Sequence, residues 1–108
     1  MNMITYDDFK KLELRVAVIK EASFHPDADK LYVLKIDSGG TEKQLVAGIR
    51  QHYLPEELIG KQIIIIDNLE PKAVRGIMSN GMLLAASDED GLSLICPDKP
   101  RKPGSTVK

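Results

Sequence analysis

The residues with the most chemistry to offer lie between positions 68 and 87, in the stretch NLEPKAVRGIMSNGMLLAAS. Lys72 can set a point charge against a phosphate, and Arg75 can offer a planar fork of donors to the same group. Ser79 and Asn80 each carry a donor and an acceptor, so either can bond hydroxyls or the polar edges of a ligand. Gly76 and Gly81 admit positive φ or close backbone approach. Met82 supplies a flexible, polarizable thioether that can pack on a flat surface. Each has a plainer reading beside it. Lys72 and Arg75 can balance Asp67 and Glu70 on a solvated loop, Ser79 can cap a turn, and Met82 can belong to the core. A bare turn between two strands needs only about two to five residues. The stretch is therefore expected to be a long polar loop that presents itself to a partner.

No other cluster offers comparable chemistry. His25 and His52 are far apart with no cysteine beside either, so no metal site is expected. The pair Asp27 and Asp29 lacks the glycine and glutamate of a calcium loop. No nucleophile is matched to a base, and no glycine-rich phosphate loop leads into Lys and Ser/Thr. A non-catalytic protein without cofactors is the expectation. Cys96 is the only cysteine, which rules out an internal disulfide. Within LSLICP it reads as a small buried apolar group. The aromatics Tyr6, Phe9, Phe24, Tyr32 and Tyr53 are scattered, which disfavours a stacking platform for single strands.

The elements that must position the central stretch can be read from periodicity. Thr5 and Asp8 ahead of Phe9 and Leu12 mark a short N-terminal helix. LELRVAVIKEASF is a strand with Leu12, Leu14, Val16 and Val18 on one face and Ala17 and Ile19 on the other, so both faces are expected to be covered. HPDADK is a turn, LYVLKID a second strand with Tyr32, Leu34 and Ile36 on one face, SGGTE a hairpin loop and KQLVAGI a third strand. Pro55, Glu56, Glu57 and Gly60 bracket a turn or two of helix. QIIIID is a strand too uniformly apolar for a solvated face. MLLAASDEDGLSLICP reads as two short strands joined at DEDG, where Asp90-Gly91 is a turn signal. The segment 98–108, with Lys99, Arg101, Lys102 and Lys108, is expected to be an irregular basic tail.

The 108 residues suit one domain, 1–108, with enough surface to bury for a core that needs no metal or disulfide. No apolar run approaches the roughly 20 residues that span a bilayer, and MNMITYDDFKK has neither the apolar core nor the cleavage site of a signal peptide. The expectation is a cytoplasmic protein with no membrane partner. A net charge of −1 argues against wrapping long DNA, whose affinity rests on many phosphate contacts. Three strands, a helix and further strands give the order of an all-β, five-stranded oligonucleotide/oligosaccharide-binding (OB) barrel. The short helix falls between strands three and four, with a short N-terminal helix and a C-terminal extension added. Such a barrel presents ligands on the loops after strands one and four, here FHPDADK and NLEPKAVRGIMSNG.

HPDADKL, VAGI and SNGMLLAAS, with DFKKLELRVAVIKEASF, YLPEELIGKQIIII and LICPD in order and spacing, resemble the structure-specific tRNA-binding domain. That family includes free-standing tRNA-binding proteins and the C-terminal domain or beta subunit of methionyl-tRNA synthetase. The resemblance runs from about Asp7 to Asp98. It implies an OB barrel, homodimeric when free-standing, that binds the tRNA corner and can partner a methionyl-tRNA synthetase catalytic chain. The family's S-x-G-M element implies tRNA binding by Ser79, Gly81 and Met82, with Asn80 at its variable position. Asn68, Lys72 and Arg75 join the set by sharing the loop, and Lys30 by lying in the loop after the first strand. A related branch resembles CsaA, a homodimeric secretion chaperone that binds unfolded peptides, and GMLLAAS follows the tRNA binders' pattern instead. A scaffolding module of a synthetase complex is a third reading.

Overall fold

A computed structural model describes all residues, Met1–Lys108. Helix α1 (Tyr6–Lys10) begins with a reciprocal cap: Thr5 Oγ1 accepts from the Asp8 amide at 3.0 Å, and the Asp8 carboxylate accepts from the Thr5 amide at 3.2 Å. Strand β1 (Leu14–Phe24) is long enough to serve two partners. Its first half pairs with β4 (Gln62–Ile66) and its second half with β2 (Tyr32–Asp37), with a register irregularity between Ile19 and Glu21. A bulge of this kind bends and twists a strand, which is how one strand turns from one barrel wall into the next. Strand β3 (Glu42–Ala47) pairs with β2, and helix α2 (Pro55–Leu58) follows it and buries Leu58. Pro55 stands in the first helical turn, as expected.

Both faces of β1 are covered, and the isoleucine run explains how. Ala17, Ile19, Ile63 and Ile65 join Tyr32, Leu34, Ile36, Leu45 and Leu58 in the barrel core. Leu14, Val16 and Ile64 point the other way, into a smaller cluster completed by Phe9 of α1, Ile66, Leu84 and Val107. QIIIID has no solvated face because alternate isoleucines serve two cores.

The remaining strands are short: β5 (Lys72–Val74), β6 (Ile77–Ser79), β7 (Met82–Leu83), β8 (Ala85–Asp88), β9 (Gly91–Leu94) and β10 (Thr106–Val107). The main sheet runs β3-β2-β1-β4-β7 and is antiparallel throughout, giving a nearly closed five-stranded barrel. β5–β6 and β8–β9 form separate hairpins. The OB-type barrel expected from the sequence is thus the fold that forms.

Two expectations need correction. The tail, read as irregular, is strapped to the barrel. The Gln62 side-chain amide grips the Arg101 backbone from both sides, Gly104 N–H donates to Val16 O at 2.7 Å, and β10 pairs with Leu14–Arg15. This pairing joins residues about ninety positions apart, so no local pattern announces it. Cys96, read as buried, is exposed because β9 ends at Leu94, the last of its residues to enter the core.

Candidate nucleic-acid interface

The expected polar loop is a built structure. Val74 pairs with Ile77, leaving Arg75 and Gly76 as a two-residue turn with φ of 51° and 87°. Positive φ at both central residues is the geometry that matches strand twist in a tight hairpin. Arginine seldom accepts it, which is why the sequence did not advertise a hairpin here.

The hairpin is fixed at both ends. At its root Asp67 receives the Lys43 ammonium 2.7 Å from Oδ1 and the Arg15 guanidinium 3.5 Å from Oδ2, and Lys43 also donates to the Asp67 carbonyl at 2.8 Å. At its tip the β1–β2 loop clasps it. The His25 side chain is buried, and its Nδ1 accepts from the Asp27 amide at 3.0 Å. That role fixes the tautomer: Nε2 bears the hydrogen and donates to Val74 O at 3.1 Å. Arg75 Nη2 returns the contact, donating to Asp27 O at 3.1 Å. The two loops expected to present a ligand are therefore one rigid unit. His25, weighed from sequence only as a metal ligand, holds them together. Its one sequence signal was its place before Pro26 at the start of a turn.

Between the hairpin and β3 lies a cleft of about 200 Å³, walled by Val46, Leu69, Val74 and Met82 and rimmed by Lys72 and Glu70. Lys72 is exposed, and Met82 is 47 % exposed. Both stand where a ligand can reach them. Val46 and Val74 were missed because a half-buried valine in a strand looks like any other.

Ser79 and Gly81 do not face outward, and this corrects the expectation that the whole motif is displayed. Ser79 is 6 % exposed; its hydroxyl accepts from the Val46 amide at 3.0 Å and donates to Gly81 O at 3.0 Å. Asn80 N–H donates to Gln44 O at 2.8 Å and Gln44 Nε2 to Met78 O at 2.9 Å. These bonds join β3 to the β6–β7 segment, so Ser79 supplies an acceptor where no carbonyl is available to close the barrel. Gly81 has φ of 135°, and a Cβ there would lie 2.9 Å from Ile66 O. The serine and glycine hold the motif's backbone in place so that Met82 emerges at the rim.

The other candidates divide. Asn80 keeps a half-buried side chain with no hydrogen bond inside the chain. Asn68 is a strut: Oδ1 accepts from the Glu13 amide at 2.8 Å and Nδ2 donates to Lys11 O at 2.7 Å, tying the exit of β4 to the α1–β1 connection. Lys30 is exposed in a hollow of about 520 Å³ formed by Asp27–Leu31 and Arg75. The structure thus groups Lys72, Arg75 and Met82 around one hairpin, sets Lys30 beside its tip, and ties the Asn68 side chain to the α1–β1 connection instead.

An OB-type barrel with a fixed hairpin over a small cleft defines a binding module, and comparison with known proteins agrees. The family described as "Putative tRNA binding domain" matches residues 14–106, and the chain belongs to that family. Over its whole length it is 50 % identical to part of the methionine–tRNA ligase of Thermococcus kodakarensis, spanning about 15 % of that enzyme. It superposes on a MetRS-related protein from Pyrococcus horikoshii with a TM-score of 0.92 and 37 % identity, each chain fully covered. It superposes equally well on the CsaA chaperone from Picrophilus torridus, with a TM-score of 0.91, 39 % identity, 98 % of this chain and all of that one.

Proposed function

We propose that the chain binds tRNA at its corner, as a homodimer that works alone or beside a methionyl-tRNA synthetase catalytic chain in the cytoplasm. The observation that carries this reading is the clasped β5–β6 hairpin with Lys72 and Met82 on its cleft and Arg75 at its tip. A folded RNA corner offers phosphates, 2′-hydroxyls and a few unstacked bases. Lys72 and Arg75 meet the first, Asn80 the second, and Met82 packs against the third. As a subunit, the module raises the effective concentration of tRNA near a separate active site.

A gel-shift titration with total tRNA tests this. Met82→Ala weakens binding while the melting temperature holds, and the salt dependence is shallow, with a log–log slope of about −2 to −4. Equal affinity of wild type and variant removes Met82 from the site. Size-exclusion chromatography with and without tRNA reports dimerisation together with RNA association.

A second reading has its own support: the likeness to CsaA, and Leu69 and Met82 exposed on the cleft. In this reading the apolar rim takes an unfolded peptide. Peptide binding that tRNA cannot displace, with tRNA binding absent, would favour it.

A further inference from the structure

The sequence scatters the aromatic residues, but the fold brings two of them together with an arginine. Phe24 ends β1 directly across from Tyr32 of β2, their rings 5.6 Å apart and inclined by 22°. The Arg50 guanidinium carbon lies 4.1 Å from the Phe24 ring centroid. Tyr32 is buried, yet Phe24 remains 56 % exposed. A phenylalanine so open, with a planar cation on it, is more than core packing requires.

Arg50 is held in place. Its amide donates to Lys30 O at 3.3 Å, and its Nη1 lies 3.3 Å from Ala28 O and 3.5 Å from His25 O. All three acceptors belong to the loop that clasps the hairpin, so the stack and the hairpin share one support. Ala28 and Lys30 also line the hollow that Arg75 closes. Neither Phe24 nor Arg50 lines the Lys72–Met82 cleft.

We propose that the Phe24–Arg50 stack is a seat for one unstacked nucleobase, separate from the hairpin cleft. The inference rests on the tRNA reading and assigns that surface a second contact point. Bases splayed out of a folded RNA stack on aromatic rings and on arginine planes alike. A tethered guanidinium adds cation–π attraction without having to be ordered when the ligand arrives.

The test is a titration of total tRNA at several salt concentrations with wild type, Phe24→Leu, Phe24→Tyr and Arg50→Lys. Phe24→Leu weakens binding about tenfold and leaves the log–log salt slope unchanged, since no phosphate contact is lost. Phe24→Tyr retains affinity. Because Phe24 also packs on Tyr32, Arg50→Lys serves as an independent variant that keeps the charge and removes the plane; it weakens binding severalfold at constant slope. Wild-type affinity in both Phe24→Leu and Arg50→Lys overturns the seat and leaves the tRNA reading standing. So does a loss in those variants that comes with a shallower slope, which would make the contact electrostatic. Failure of the wild type to bind tRNA removes the parent reading and the seat with it.

Discussion

The molecule carries two small hairpins, β5–β6 and β8–β9, and they are built for different ends. Each turns in two residues, Arg75-Gly76 in the first and Glu89-Asp90 in the second. The first has a basic tip gripped by its neighbour, with His25 and Arg75 each bonded across to the other loop. The second is hydrogen-bonded to the rest of the chain only near its base, where the Leu94 amide donates to the Tyr53 hydroxyl and the Ile95 amide to Leu84 O, while Leu92 packs on the barrel core. Its tip offers Asp88, Glu89 and Asp90 to solvent, with the Asp88 carboxylate accepting the Asp90 amide. A net charge of −1 averages these two ends and conceals both. Sign and tethering coincide: the hairpin that can meet a polyanion is the one hydrogen-bonded at its tip.

The sharpest way to break the contrast is to attack the backbone beneath the basic hairpin. Gly81→Ala places a Cβ against Ile66 O at a φ that alanine resists, and should cost about 3 kcal/mol in urea denaturation. Ser79→Ala comes next. It leaves the Val46 amide without its acceptor and should cost about 1–3 kcal/mol, so any loss of tRNA binding would be accompanied by a lower melting temperature. A smaller effect belongs to Tyr32. Burial raises its phenol above the usual value near 10, while its hydroxyl donates to Tyr53 O at 2.7 Å. A raised folded-state pKa gives stability that is complete below about pH 10 and is lost as pH climbs through the folded value. Tyr32→Phe should therefore lose about 1 kcal/mol at neutral pH and flatten the alkaline fall in melting temperature. Lys72→Ala should leave stability within about 0.5 kcal/mol and make the tRNA salt slope shallower by about 0.7–0.9. Least of all, Glu89→Lys on the acidic hairpin should change stability by under about 0.5 kcal/mol and tRNA affinity less than Lys72→Ala does. A larger effect on affinity there would mean the acidic hairpin also faces the ligand.

What could be read from the sequence follows the range of the interactions involved. Strands β1 and β2 were legible because their alternation reports burial directly, as Tyr32, Leu34 and Ile36 show, and β4 because its unbroken isoleucine run announces a strand covered on both faces. The hairpin was not, because Arg75 and Gly76 look polar and loop-like and its pairing spans only three residues on each side. The serine and glycine of SNGM could be picked out as a pattern, but their work was hidden. A hydroxyl standing in for a ladder carbonyl, and a glycine beside Ile66 O, become visible only when β3 and β4 are brought near. The same holds for the tail on β1 and for Arg50 on Phe24. Of the candidates chosen by residue type and loop membership, Lys72 and Met82 project outward, while the side chains of Ser79 and Asn68 are taken up by hydrogen bonds within the chain.

The strap that lays β10 along the opening of β1 has a further consequence. Val107 sits across from Leu14 and packs in the same cluster as Phe9 of the first helix, so the chain enters and leaves at a single corner. A linker joined at either terminus would hold the barrel from that corner, leaving it free to swing without prying its walls apart.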